Sequence, residues 1–157
     1  AEKLQGRSAQ AEDSGNLPYT RAVICEAMRL YPPAWVIGRV LLKDFQFGEY
    51  TIPKDAEVWI SQYVMHRDPR YFADADAFIP ERWLDTEFQP SRFVYFPFSA
   101  GPRNCIGEQF AWLEATLVLA TLVGRYRFDD IGEKVQTEPL VTLRPKGGLR
   151  LRILHRR

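Results

Sequence analysis

A helix that is apolar on nearly every side has to be covered on nearly every side, and residues 108–124, EQFAWLEATLVLATLVG, carry that pattern. The longest apolar run inside it, residues 115–123 with two threonines counted in, is nine residues. A membrane-spanning helix needs about twenty, so the segment predicts a buried helix of a folded domain, ended by Gly124. Directly before it stands FSAGPRNCIG, residues 98–107, a turn-rich loop that places Cys105 just ahead of the helix. A chain that buries such a helix needs enough further apolar residues to surround it. With 157 residues, 46% apolar and 26% charged, this one has the composition of a single globular unit spanning residues 1–157.

Charge excludes some partners. Lys and Arg number 21 against 20 Asp and Glu, a net +1, which gives no long-range attraction to nucleic acid. The N-terminus, AEKLQGRSAQAEDSGN, is polar and has no signal-peptide pattern, which predicts a cytoplasmic location. Two cysteines, Cys25 and Cys105, are too few for a disulfide-stapled secreted fold.

Along the chain, residues 1–15 lack periodicity and read as a loosely packed lead. Asn16 is a candidate N-cap, with Pro18 in the first turn of a helix over 17–30. Val23, Ala27 and Leu30 form its apolar stripe, Ile24 and Met28 lie beside it, and Cys25 reads as a buried, inert thiol. Tyr31-Pro32-Pro33 ends the helix. Residues 35–42, 44–47, 50–52 and 57–61 predict a small antiparallel sheet. A short helix near 62–66 opens a long irregular segment reaching residue 97, and loops of that length tend to be functional. Residues 140–154 predict two strands around Pro145-Lys146-Gly147-Gly148. The fold class expected is α+β, mainly α.

The cysteine loop carries the chemistry. At a helix N-terminus the dipole and unpaired N–H groups favour a thiolate, and Arg103 adds positive charge. Gly101 and Gly107 let the backbone turn tightly and allow a flat ligand to approach, and Phe98 can shield the sulfur. A thiolate there serves as nucleophile or as metal ligand. Nucleophilic catalysis wants a histidine base, and neither His66 nor His155 has a partner pattern; His66, in HRDP, reads as a local cap or hydrogen-bonding group. Zinc and iron–sulfur sites want several ligands at paired spacing. One cysteine suffices where the metal brings its other ligands, as haem iron does.

FSAGPRNCIG resembles the haem-binding signature of the cytochrome P-450 monooxygenases, Phe-x-x-Gly-x-Arg-x-Cys-x-Gly, at Phe98, Gly101, Arg103, Cys105 and Gly107. Glu26-Ala27-Met28-Arg29 resembles that family's helical Glu-x-x-Arg, and Pro80-Glu81-Arg82-Trp83 its Pro-Glu-Arg-Phe with Trp for Phe. The likeness runs over residues 6–153, in the order the family has them. It implies Cys105 as axial ligand to the iron of haem b (iron protoporphyrin IX), and a structural triad of Glu26, Arg29 and Arg82 pinning the irregular segment beneath the loop. By resemblance, Arg39 and Arg103 face haem propionates, and Ala34, Trp35, Val36, Val141, Thr142 and Leu143 line a substrate site. It also implies hydroxylation of a small apolar substrate with O₂, and electrons from a reductase or ferredoxin.

Only the C-terminal part of the family's chain is represented. The family's distal helix, whose acid–alcohol pair delivers protons to oxygen, has no counterpart; Glu114 and Thr116 follow Cys105 and are not that pair. Trp112 has no arginine four residues on, so the family's upstream Trp/Arg propionate grip is also missing. Two functions therefore stand side by side: the haem-ligating portion of a monooxygenase, or a truncated and inactive haem-binding or structural fragment. No residue of this chain is expected to be catalytic in its own right. An isolated chain is expected to self-associate or to need a complementary fragment.

Overall fold

The computed structural model describes residues 2–4 and 6–156. Ala1 and Gln5 of the predicted lead, and Arg157, lie outside the described residues. The architecture is α+β. Helix α1 spans Pro18–Leu30, the short α2 spans Gln62–Met65, and α3 spans Glu108–Arg125. Strands β1 (Ile37–Val40), β2 (Phe45–Phe47), β3 (Tyr50–Ile52), β4 (Glu57–Ile60), β5 (Tyr126–Asp130), β6 (Thr137–Pro139), β7 (Leu143–Pro145) and β8 (Leu151–His155) complete it.

The strands do not make one sheet. Among the described residues they form antiparallel pairs, β1 with β4, β2 with β3, β5 with β8 and β6 with β7. The expected sheet over residues 35–61 is thus a β2–β3 hairpin carried beyond a β1–β4 ribbon. In that ribbon Gly38 lies opposite Trp59, whose ring would come within 3.0 Å of any Cβ at position 38. The expected terminal hairpin is absent too. Pro145-Lys146-Gly147-Gly148 does turn the chain, but the strands on either side bond elsewhere, β7 to β6 and β8 to β5. Strand β5 leaves α3 with no intervening loop, so the helix runs one residue past Gly124.

Three further expectations need correcting. Leu17, not Asn16, occupies the N-cap of α1; Asn16 ends a 3-10 turn over Ala11–Asn16, and Pro18 sets the first helical φ. The lead is tied down, because Ala9 N–H donates to Thr121 Oγ1 (3.3 Å), Arg125 Nη2 to Ser8 Oγ (2.6 Å), and Leu4 is buried. On α1 the buried face runs through Ala22, Cys25, Glu26 and Arg29, with Ile24 and Leu30 beside it. Val23, Ala27 and Met28 are only half-buried. Burying an ion pair displaced the purely apolar stripe from the centre of the helix's inner face.

The long helix also differs from expectation. It forms where the pattern places it, but only Thr116 and Ala120 are buried. Phe110 is 69% exposed and Val118 51% exposed. The elements that pack against it most are α1, the 3-10 turn over Ala11–Asn16 and β5. An all-round apolar surface states how much cover the helix can accept; the described residues supply cover for one face. Among the described residues no helix is long and apolar enough to cross a membrane.

Candidate functional site: a cysteine cleft on a buried ion-pair hub

Glu26 and Arg29 lie three residues apart on α1, on one face, and both are 0% exposed. Arg29 Nε donates to Glu26 Oε2 (2.9 Å) and Nη2 to Oε1 (2.8 Å). Its remaining N–H groups reach the carbonyls of His66 (2.9 Å), Ala75 (2.6 Å) and Ala77 (2.9 Å). All five guanidinium donors are thereby used. Glu26 receives three more: Ile79 N–H (2.9 Å) and Arg82 Nε (3.2 Å) on Oε1, and Trp83 Nε1 (2.8 Å) on Oε2. Arg82 also holds the Ala73 carbonyl (2.9 Å). Burial pushes the Glu26 pKa up, but hydrogen bonds from Arg29, Ile79 and Trp83 outweigh it, and the carboxyl sits below its ordinary range.

The expected triad is therefore assembled, with a fourth member that the motif reading left unassigned. Trp83, standing where the motif has Phe, contributes an indole N–H that a phenyl ring lacks. The residue type was the available signal, since a Trp taken partly out of water carries an N–H that needs an acceptor.

Above this hub runs the cysteine loop. Ser99 adopts φ +71°, a left-handed value, and its N–H closes a turn on the Phe96 carbonyl (2.9 Å). Gly101 follows at φ +80° and opens a 3-10 turn through Arg103. The Cys105 N–H then returns to the Phe98 carbonyl (2.9 Å), closing the loop on itself. Gly107 is the N-cap of α3; a Cβ there would stand 3.8 Å from the Cys105 sulfur, so Sγ lies over the first turn of the helix. Cys105 is a free, exposed thiol, whereas Cys25 is buried, and burial pushes the Cys25 pKa up.

Cys105 faces a cleft of about 330 Å³ shared by Met28, Ala34, Val36, Ile37, Phe98 and Arg103. A second cavity of about 510 Å³ lies on the other side of the loop, with Trp83, Trp112 and Arg21 in its wall and without Cys105. Pro97, Phe98 and Ser99 line both. Arg103 is exposed at the cleft. Arg39 is exposed on β1, turns its guanidinium to the neighbouring Gly38 carbonyl (2.8 Å), and does not reach the cleft in this arrangement.

The two stretches expected to line a substrate site are brought together although they are far apart in sequence. Trp35 Nε1 donates to the Leu140 carbonyl (2.8 Å), and Leu143 N–H to the Pro33 carbonyl (2.9 Å). Ala34 and Val36 line the cleft. Val141 and Thr142 are exposed beside it, and Leu143 is half-buried.

Sequence reasoning missed two residues under the loop. Gln62, the first residue of α2, and His66, its C-cap, are both fully buried. His66 is the local cap expected from HRDP, its backbone N–H closing α2 on the Gln62 carbonyl (2.8 Å), but its imidazole Nε2 also accepts the distant Phe96 N–H (3.0 Å), which was not expected. Gln62 Nε2 donates to the Phe96 carbonyl. Neither partner is visible at short spacing, which is why the sequence carried no signal for them.

The site these residues define is one exposed cysteine thiol facing a largely apolar cleft, beside a saturated Glu–Arg hub. The Cytochrome P450 family model matches residues 2–151. The chain is 42% identical over 144 residues to cyclooctatin synthase of Streptomyces melanosporofaciens, covering 90% of this chain and 31% of that protein. It is 42% identical over 158 residues to probable cytochrome P450 4s3 of Drosophila melanogaster (99% and 31% covered). It is 41% identical over 132 residues to a cytokinin hydroxylase of Arabidopsis thaliana (82% and 25%). A crystal structure of a cytochrome P450 superposes with TM-score 0.85 at 31% identity, covering 99% of this chain and 35% of that one. The chain belongs to the cytochrome P450 family. It spans about a third of the length of the first two relatives.

Proposed function

We propose that residues 1–157 are the haem-ligating portion of a monooxygenase, with Cys105 as the axial ligand to haem b. The observation that carries this reading is the exposed Cys105 thiol in FSAGPRNCIG, facing an apolar cleft. Among the described residues no three His, Cys, Asp or Glu side chains gather as a metal site. A ligand that brings its other metal donors suits a lone cysteine, and a flat one suits a cleft whose thiol is unobstructed at Gly107. When bound through a thiolate, haem iron activates O₂ for insertion of one oxygen atom into an apolar substrate. The chain's own residues hold the group: Cys105 supplies the ligand, Phe98 adds an apolar wall to the same cleft, and Gly101 and Gly107 shape the loop. Arg103 and Arg39, the latter after rotation of its exposed side chain, offset propionate charge. Ala34, Trp35, Val36, Val141, Thr142 and Leu143 border the substrate, and electrons come from a reductase or ferredoxin.

Cys105→Ala tests the assignment. The haem-loaded variant is expected to lose the thiolate-type spectrum of the reduced, carbon-monoxide-treated protein, and an unchanged spectrum overturns the ligand assignment.

A second reading, that the chain taken alone is inactive and needs a complementary segment, is favoured by Phe110, Val118 and Leu122 exposed on α3. Sedimentation of the isolated chain is expected to show self-association relieved by such a segment, with no hydroxylation in its absence. A monodisperse monomer that retains haem and hydroxylates a substrate with a supplied reductase would exclude that reading.

A further inference from the structure

Phe96 lies two residues before the first position of the cysteine loop. Both of its backbone polar groups are met by side chains, its N–H by His66 Nε2 and its carbonyl by Gln62 Nε2. The same carbonyl also takes the Ser99 N–H, which closes the left-handed turn from which Phe98 and then Cys105 follow. His66 faces the other way as well, since its own carbonyl is held by Arg29 Nη1 at 2.9 Å. A continuous chain of hydrogen bonds thus runs from the Glu26–Arg29 pair through His66 to Phe96, and from the Phe98 carbonyl to the Cys105 N–H.

Two buried atoms in this group have no partner, Gln62 Oε1 and His66 Nδ1. Since Nε2 accepts, the ring proton of the neutral imidazole sits on Nδ1, turned toward the Met28 carbonyl without a full hydrogen bond. Leaving buried polar atoms unpaired is unfavourable. A Leu or Met at either position would avoid that and fill the same space, so packing alone does not explain these two residue types. What they do that apolar residues cannot is hold the two peptide groups that flank the Phe96 Cα, one on each side.

We propose that Gln62 and His66 are positioning residues that clamp Phe96 and thereby set where the cysteine loop, and with it the Cys105 sulfur, is held. The part concerning the iron ligand rests on the haem reading above.

The test uses His66→Leu, Gln62→Met and the conservative His66→Gln, whose amide oxygen reaches about as far as Nε2 and restores the acceptor. Without haem, amide hydrogen exchange at Phe96 and Cys105 is expected to quicken at least tenfold in His66→Leu and Gln62→Met. His66→Gln should stay near the parent rates, with the Ala27 and Arg29 amides of α1 unchanged in all three. With haem, the first two variants are expected to keep the cofactor but lose at least half of the thiolate-type carbonyl absorbance, which His66→Gln recovers. Unchanged exchange at Phe96 and Cys105 overturns the clamp. Quickened exchange with an undiminished thiolate spectrum overturns its hold on the sulfur. Equal damage in His66→Gln and His66→Leu also overturns it, because a lost acceptor would not be the cause. Failure of the haem reading shows up separately, as absence of a thiolate spectrum in the parent protein while the exchange result still decides the clamp.

Discussion

Arg29→Leu is expected to destabilise the fold by about 3–5 kcal/mol, the usual cost of removing one partner of a buried pair. The leucine fills part of the space but supplies none of the five donors. Glu26 is left as a buried carboxylate held by Arg82, Ile79 and Trp83 alone, and the carbonyls of His66, Ala75 and Ala77 lose their partner. Against a typical domain stability of about 5–15 kcal/mol, that loss sends much of the protein into the insoluble fraction. Lower haem incorporation follows from the misplaced loop. Arg29→Lys is expected to rescue little, since an ammonium has three donors and no planar fork. Urea unfolding midpoints measure all of this. An Arg29→Leu chain within about 0.5 kcal/mol of its parent would show the pair to be dispensable, as is the case for most surface substitutions.

Mild acid is expected to weaken the fold through His66. Burial holds its pKa down at about 4, against an ordinary histidine value near 6.5, and the charges of Arg29 and Arg67 lower it further, while the Met28 carbonyl pulls the other way. Between those values the unfolded chain binds a proton that the folded one refuses. Stability from this residue is therefore fully present above about pH 6.5 and is lost as pH falls toward 4, on the order of 3 kcal/mol in all. Carboxylates act later: Asp13, held near 2 by the Arg7 guanidinium, and Glu26, lowered by its donors, give up their contributions only as pH falls through their own depressed values. Urea unfolding between pH 7 and 5 isolates the histidine. His66→Gln should flatten the slope there, and an equally steep slope would assign the acid sensitivity to another group.

What the sequence made legible was chemistry written at short spacing. Glu26 and Arg29 are one helical turn apart, and the loop from Phe98 to Gly107 sets its glycines, arginine and cysteine within ten residues, so each could be read without knowing the fold. What it hid were pairings between distant segments. Trp83 finds Glu26, His66 finds Phe96, and β8 finds β5 across the turn that seemed to mark a hairpin. Periodicity records which face of an element can be covered, not what covers it. That is why the α3 pattern gave the helix correctly and its burial incorrectly, and why the apolar stripe on α1 misplaced a face whose centre is ionic.

The bond from Trp35 to the Leu140 carbonyl spans 105 residues and joins the early and late borders of the cleft. A ribosome adds about 5–20 residues per second, so Leu140 follows Trp35 by roughly 5–20 s. Helix α1 can coil within microseconds of leaving the tunnel, yet the far border of its cleft does not exist until that interval has passed. The nascent chain therefore carries an unfinished apolar hollow for seconds, a window in which a chaperone, or the cofactor itself, meets it before the last strands arrive.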